Sequence, residues 1–184
     1  MEKTEPPWIK RIELALTKEK DSQRSRWIQL ATISLDNKPR VRTVVFRGWN
    51  KQSQMEILSD TRSEKVSEIA QNPNIEICWM FPRSKSQFRI RGKAIFDQGV
   101  RANSFWLKLS PEVRSLWAWP APGKQLKDDS FSLKETPDGV AMPTNFLLIK
   151  INIHQTEELQ LNEYPHRRTT WSKNNNWIEE LTTP

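Results

Sequence analysis

Apolar and polar residues alternate along most of this chain from Trp27 onward, and this period of two restricts the fold more than any other feature of the sequence. The alternation is clearest in residues 86–96, where the polar positions are Gln87, Arg89, Arg91 and Lys93 and the apolar ones are Phe88, Ile90 and Ala94. A strand with one apolar face packs that face on a core and leaves the other face solvated. The pattern therefore favours an antiparallel sheet.

Strands are predicted at 27–34, 41–47, 55–59, 75–81, 86–96 and 145–154, followed by a closing hairpin of 167–171 and 177–181. Helices are predicted at 8–20, 64–71, 100–109 and 111–119. Residues 120–145 have little periodicity, which is typical of a long functional or mobile loop. Neither a repeat nor a composition break divides the chain. We therefore expect one domain, 1–184, that forms a mainly antiparallel β barrel with flanking helices, in the all-β or α+β class.

Charge and composition limit the partners of this chain. Its 29 Lys and Arg exceed its 22 Asp and Glu, giving a net charge of +7, which suggests nucleic acid, a membrane surface or a phosphorylated small molecule. No apolar run approaches the roughly 20 residues of a membrane span, and the first residues lack an apolar signal core. We expect a cytoplasmic protein without membrane contact. With one Cys and two His, no dedicated metal site is expected.

A first candidate for an anion site is the segment from Ser59 to Lys65. Thr61 and Glu64 have the spacing of a capping box, which predicts that a helix begins at Arg62. The free amides and the dipole of such a helix start attract phosphate, and Arg62, Ser63 and Lys65 add donors. An ordinary helix start on a charged surface explains the same residues.

Two further basic clusters are candidates. Arg42 and Arg47 are five residues apart, so a regular strand places them on opposite faces. His166, Arg167 and Arg168 follow a proline and have the chemistry to clamp a charged ligand. Surface arginines on a hairpin and a solvated turn are the alternatives.

In order and spacing, these clusters resemble motifs of the pyridoxamine 5'-phosphate oxidase-like family of FMN-binding split barrels. The resembling segments are the hairpin 30–39, the strand from Arg42 to Arg47, Ser63-Glu64-Lys65, Asn72-Pro73, the stretch from Gln87 to Ala94, and His166-Arg167-Arg168. The resemblance begins near Trp27 and runs to the C-terminus, leaving out the N-terminal helix.

The resemblance implies a homodimer with FMN at the subunit interface. It assigns the FMN phosphate to Arg42, Ser63 and Lys65, with Arg62 replacing the family's arginine because Glu64 stands at that position. It places Leu58 and Ser59 along the flavin, main-chain groups of Thr43, Val44 and Val45 at the ring, and Arg47 near it. It assigns Gln87 and Arg168 to the flavin held mainly by the other copy.

The chain departs from the true oxidases at several substrate positions. Phe105 and Leu109 stand where those enzymes hold the substrate phosphate, and Tyr164 stands at the substrate arginine of their C-terminal loop. His166 is kept and is the only candidate for acid–base catalysis. The resemblance therefore implies an FMN-dependent oxidoreductase of another branch, acting on an unknown small substrate. Trp106, Trp117 and Trp119 nearby favour a flatter, less charged molecule.

Two other functions fit the sequence. The alternating arginines and aromatic residues of 87–91 suit a basic single-stranded nucleic-acid-binding protein, whose strands stack bases and neutralise phosphates. A non-catalytic flavin- or haem-binding protein of the same barrel differs from the enzyme only in turnover.

Overall fold

A closed, six-stranded antiparallel β barrel forms the centre of the computed structural model, which describes residues 5–19, 23–125 and 135–184. Its strands are β1 Trp27–Ile33, β2 Pro39–Trp49, β3 Met55–Asp60, β4 Asn74–Phe81, β5 Ser86–Asp97 and β6 Phe146–Gln160. They are ordered β3-β2-β1-β4-β5-β6, and pairing of β3 with β6 closes the barrel. The predicted barrel is confirmed.

Two short strands extend the sheet beyond the barrel. β7 Arg167–Ser172 pairs with the second half of β6, and β8 Glu180–Thr182 pairs with β7. β6 runs six residues past the predicted end at His154, because its second half is held between β5 and β7. The predicted closing hairpin is thus part of the same sheet.

Four α-helices lie in the described part of the chain: α1 Pro7–Lys18, α2 Glu64–Gln71, α3 Val100–Trp106 and α4 Pro111–Ser115. The helix predicted at 111–119 ends at Ser115 and continues as a 3₁₀ turn, Leu116–Ala118. Among these described helices, none has the length and apolar character needed to cross a membrane.

The barrel interior holds the main core. Alternate residues of each strand point inward, among them Leu30, Trp79 and Phe88, all fully buried. α1 covers one end, where Trp8 meets Trp49 edge to face with ring centroids 5.5 Å apart. Trp49 is the last residue of β2, whereas α2 contacts Arg42 near the start of the same strand. α2 therefore lies at the opposite end of the barrel.

A second, smaller core lies outside the barrel, against β6. Ala102 and Trp106 of α3 pack there on Phe146 and Leu148, with the Trp106 and Phe146 ring centroids 5.2 Å apart. The Trp106 indole N–H donates to Val140 O at 2.7 Å. This cluster attaches α3 and α4 to the rim where α2 begins.

Candidate functional site

The barrel opens between β2 and β3. The ladder between these strands covers only Phe46 to Trp49 on β2 and Met55 to Ile57 on β3. The β2 segment from Thr43 to Val45 pairs with β1 alone, and the β3 segment from Leu58 to Asp60 pairs with β6 alone. Main-chain groups on one edge of each strand, those of Thr43, Val44 and Val45 among them, therefore face the opening.

Polar side chains gather at the end of this opening where α2 begins. Lys65 Nζ donates to Ser59 Oγ at 3.2 Å and to Ser63 Oγ at 3.0 Å. The two serine oxygens are 3.3 Å apart, and both side chains are buried. We call Arg42, Ser59, Ser63 and Lys65 the cradle.

The helix predicted at 64–71 is confirmed, but the capping box that would begin it at Arg62 is not. α2 begins at Glu64, and its cap residue is Ser63 rather than Thr61, so the capping box does not form. Asp60 explains the difference, because its carboxylate accepts from the main-chain N–H of Arg62 at 2.8 Å and its carbonyl accepts from Ser63 N–H at 3.1 Å. This turn keeps residues 61 and 62 out of the helix and brings Ser63 to Lys65.

The charge of Lys65 lacks a carboxylate partner within the described residues, where its hydrogen bonds go only to hydroxyl groups. Burial lowers the pKa of Lys65, and the positive charge of Arg42 lowers it further, while Asp60 and Glu68 act in the opposite direction. A half-buried cation beside a second cation is electrostatically unfavourable unless an anion joins them. The cradle therefore has the chemistry of an anion-binding site.

The two β2 arginines lie on opposite faces, as their spacing predicts. Arg42 points to the α2 end of the barrel, where its Nη2 donates to Glu68 Oε2 at 2.7 Å and its Nη1 donates to Thr32 Oγ1. Arg47 lies exposed on the outward face, where partial burial and the charge of Arg26 lower its pKa. Arg42 belongs to the cradle, and Arg47 lies beyond Val45 on the opposite face.

Arg62 pairs with a carboxylate of its own turn. Its guanidinium pairs with the Asp60 carboxylate at 2.6 Å and lies 3.5 Å from Trp117 O. No described contact joins Arg62 to the side chains of Ser63 or Lys65. The structure thus shows Arg62 fastening the turn.

The residues expected near a substrate pocket are packed in the second core. Trp106 is fully buried, and Phe105, Leu109 and Trp117 pack against the same cluster, as does Leu58. Trp117 also donates from its indole N–H to Ser59 O at 3.0 Å, a contact that sequence reasoning missed because no local pattern joins residues 58 positions apart. Trp106 is therefore a core residue, whereas Trp117 is partly exposed and lies between the second core and the cradle.

Gln87 and Arg168 form a second cluster on the outward face. They flank Leu159 in register and line a cavity of about 100 Å³ with Arg89, Glu157 and Pro184. Arg168 pairs with the largely buried Glu157 carboxylate at 2.5 Å. Gln87 is on β5, three strand positions from β2, which is about 14 Å. One chain does not bring this cluster to the cradle.

The remaining candidates show no ligand-like environment. His166 is exposed, with its Nδ1 2.8 Å from Glu163 O. On β5, Phe88 and Ile90 are fully buried, while Arg89 and Arg91 pair with Glu76 and Glu157. The stretch 87–91 therefore offers no exposed ring for base stacking, and both of its arginines are paired with carboxylates. Within the described residues, no group of three or more His, Cys, Asp and Glu has the arrangement of a metal site.

The family model "Pyridoxamine 5'-phosphate oxidase, FMN-binding domain" matches residues 5–97, about half of the chain. The protein belongs to this family. The match includes the N-terminal helix, which the sequence analysis placed outside the resemblance. Pyridoxine/pyridoxamine 5'-phosphate oxidase 2 of Arabidopsis thaliana is 31% identical over 154 residues, 78% of each chain.

Two solved structures share the whole fold. A pyridoxamine 5'-phosphate oxidase-related, FMN-binding protein of Nostoc punctiforme PCC 73102 superposes with a TM-score of 0.90 at 32% identity, covering 98% of this chain and 100% of that one. PhzG of Burkholderia lata 383, solved with tetrahydrophenazine-1-carboxylic acid, gives a TM-score of 0.81 at 16% identity, with 98% and 93% covered. The second likeness concerns the fold alone.

Proposed function

We propose that this protein binds FMN and acts as an FMN-dependent oxidoreductase on a small substrate. The observation that carries the proposal is Lys65, a half-buried cation that contacts two buried serine hydroxyls, next to Arg42 and without a carboxylate partner among the described residues. FMN combines a phosphate monoester with a flat ring. The cradle suits the phosphate, and the unpaired edge of β2 suits the ring.

Each part of the site has a defined task in this proposal. Lys65, Ser63 and Arg42 donate to the phosphate, at the start of a helix whose first amides also favour an anion. Main-chain groups from Thr43 to Val45 bind the ring edge, and Arg47 adds positive charge beyond them. Bound FMN supplies the electron-transfer chemistry, while the protein supplies orientation and electrostatics.

A second copy of the chain completes the site in this proposal. Gln87 lies about 14 Å from β2 in its own chain, and Arg168 lies on β7, outside the barrel, which suits contact with FMN held by a partner. The outward face between these strands exposes apolar side chains of Val41, Trp27 and Met80. Exposed apolar residues grouped on one face are typical of an interaction surface. We therefore propose a homodimer with an FMN site at each end of its interface.

The substrate is proposed to lack the phosphate of pyridoxamine phosphate. Phe105 and Leu109, which stand at phosphate-holding positions of the true oxidases, are half-buried against the second core and carry no donor. Tyr164 is 96% exposed, so its side chain is free to meet a partner or a ligand. The single cysteine agrees with a cytoplasmic location, where thiols stay reduced.

The test begins with the colour of the purified protein. We expect flavin absorbance and release of a compound with the mass of FMN after denaturation. Lys65→Met removes the charge and keeps most of the side-chain length, so it is expected to yield colourless folded protein. The matched control Lys10→Met, at an exposed position of α1, is expected to stay yellow. A colourless wild type that FMN does not stabilise against heat would refute the proposal.

A flavin or haem carrier remains the competing function. The two differ in turnover alone, so reduction of the bound flavin by NAD(P)H or by a screened substrate, followed by reoxidation, separates them. Release of haem instead of FMN would favour the carrier and overturn the assignment of the cradle to a phosphate.

A further inference from the structure

Arg42 lies in a closed triangle of hydrogen bonds that the proposed function does not explain. Its Nη2 donates to Glu68 Oε2 at 2.7 Å, its Nη1 donates to Thr32 Oγ1, and Thr32 Oγ1 donates to the same Glu68 oxygen at 2.5 Å. Glu68 is 3% exposed and Thr32 is 2% exposed. A buried carboxylate is costly unless it is paired. The three side chains are therefore held in one orientation.

The triangle leaves one defined edge of the guanidinium free. Arginine has five N–H donors in a rigid plane. The terminal edge, formed by Nη1 and Nη2, is taken by Thr32 and Glu68, and the second Nη1 donor lies 3.5 Å from Leu30 O. Nε and the second Nη2 donor remain, on the lateral edge, and no described residue accepts from them. Two parallel donors on one edge are the arrangement that binds two oxygens of one phosphate.

We propose that Glu68, with Thr32, is the positioning residue that turns the lateral edge of Arg42 toward the cofactor phosphate and so lets the protein distinguish FMN from riboflavin. The inference rests on the proposed function, because it names how the same site recognises a phosphorylated flavin. Glu68 does not touch the ligand; it acts through Arg42.

Glu68 carries a negative charge close to the proposed phosphate site, and this charge has its own effect on FMN binding. A carboxylate behind a phosphate site weakens the attraction for an anion, so on charge alone its removal strengthens FMN binding. If Glu68 instead acts by holding Arg42 in place, its removal weakens FMN binding. The two accounts predict effects of opposite sign, which makes the measurement decisive.

The experiment measures dissociation constants of FMN and riboflavin, which differ only in the phosphate, by quenching of flavin fluorescence in the dimeric apoprotein. Glu68→Ala is expected to raise the constant for FMN about tenfold, the value of one oriented charge-assisted hydrogen bond, and to leave that for riboflavin unchanged. Glu68→Gln keeps an acceptor for Arg42 and is expected to restore most of the loss. Thr32→Val keeps the shape of the side chain but removes its hydroxyl group. It is expected to weaken FMN binding by less than Glu68→Ala does and to leave riboflavin binding unchanged.

A double-mutant cycle isolates the action through Arg42. In the Arg42→Ala background, Glu68→Ala is expected to change FMN affinity less than about twofold, because the group it orients is gone. Glu158→Gln is the matched control: this carboxylate is also largely buried and pairs with an arginine, Arg11 at 3.2 Å, but it belongs to the α1 end of the barrel. It is expected to change neither constant.

Several results would overturn the inference while leaving the proposed function in place. These are tighter FMN binding by Glu68→Ala, equal losses for FMN and riboflavin, or full additivity of Arg42→Ala and Glu68→Ala. If Glu68→Ala does not fold, Thr32→Val decides: a loss of affinity for FMN but not for riboflavin supports the inference, and equal changes in the two constants overturn it. A wild type that binds neither flavin refutes the proposed function, and the inference falls with it.

Discussion

The cradle and the Arg168 cluster are both basic, yet their charges are balanced in different ways. Lys65 has only hydroxyl partners among the described residues, and its pKa is lowered by burial and by Arg42. Arg168 is paired with Glu157, which also lies within 4 Å of Arg89 and Arg91. Lys65 has no carboxylate partner among the described residues, although Arg42 beside it pairs with Glu68, whereas Arg168 has a carboxylate partner in its own chain.

This difference indicates which half of the ligand each cluster suits. An unbalanced cation suits a phosphate, whose full charge replaces the missing partner. A paired arginine at the rim of a small cavity suits a ring with little net charge, where direction matters more than charge. Because Gln87 lies about 14 Å from β2 and Arg168 lies on β7, outside the barrel, the comparison favours a site assembled from two copies.

The largest expected effect comes from mixing two inactive variants. Lys65→Met damages the cradle and Arg168→Ala damages the ring side, so each homodimer is expected to retain little FMN. A mixed dimer carries both defects in one site and none in the other. After unfolding and refolding of an equal mixture, about a quarter of all sites should bind FMN at wild-type affinity, as counted by titration.

The control for this mixing experiment is a pair of variants with defects on the same side, Lys65→Met with Arg42→Ala, which should show no recovery. If the opposite-side mixture also shows none, while both variants form dimers, each site lies within one chain and the comparison above is wrong.

The next largest effect separates Lys65 from Arg62, two basic residues of the same segment. Lys65→Met is expected to weaken FMN binding about 100-fold, since it removes charge-assisted bonds of roughly 1.5–3 kcal/mol each. Arg62→Ala should weaken it by no more than about threefold, because the Arg62 charge is already balanced by Asp60. Calorimetric titration of both variants gives the ratio. Equal losses of FMN affinity in the two variants would indicate that Arg62 also binds the phosphate.

The contrast between Lys65 and Arg62 also shows what sequence can reveal here. The alternation of apolar residues predicted the strands and the barrel, because burial on one face leaves a local pattern. The ordered motifs from Arg42 to Lys65 predicted the cradle. The helix at 64–71 was predicted correctly, but the capping-box pattern placed its start two residues early, because the Asp60 side chain competes for the main-chain N–H of Arg62 and the pattern does not contain that competitor.

Contacts between distant segments were beyond prediction for a physical reason. Glu68 and Thr32 approach Arg42 only after α2 closes the barrel end, and Trp117 reaches Ser59 only after the second core forms. Trp106 and Trp117 were interpreted as pocket residues because an aromatic residue looks the same in sequence whether it lines a pocket or fills a core.

A smaller effect concerns pH and follows from the lowered pKa of Lys65. A bound phosphate favours the charged amine, so FMN affinity should be highest while Lys65 is protonated and fall by up to about tenfold per pH unit above its lowered pKa. Riboflavin affinity over the same range corrects for titration of the ring. The ratio of the two constants should become flat in Lys65→Met.

The same shift has a consequence for the protein without ligand. The unfolded chain has the ordinary lysine pKa of 10.5, so it binds the proton more tightly than the native state does. Lys65 therefore lowers the stability of the apoprotein at neutral pH, and this penalty disappears as pH rises through the interval below 10.5. Apo Lys65→Met should melt at or above the wild-type temperature at pH 7; a clearly lower melting temperature would contradict this reading of the charge.

The smallest expected effect tests the link between the second core and the cradle. Trp117→Phe keeps a ring in contact with Phe146 but removes the indole N–H that donates to Ser59 O at 3.0 Å. Loss of that bond should cost about 1 kcal/mol of stability in urea unfolding. Ser59 Oγ also accepts a hydrogen bond from Lys65. Loosening this end of β3 should therefore weaken FMN binding by a few-fold and riboflavin binding by less. A larger loss of affinity for riboflavin than for FMN would instead place Trp117 at the flavin ring, as a ligand-binding residue rather than a residue of the second core.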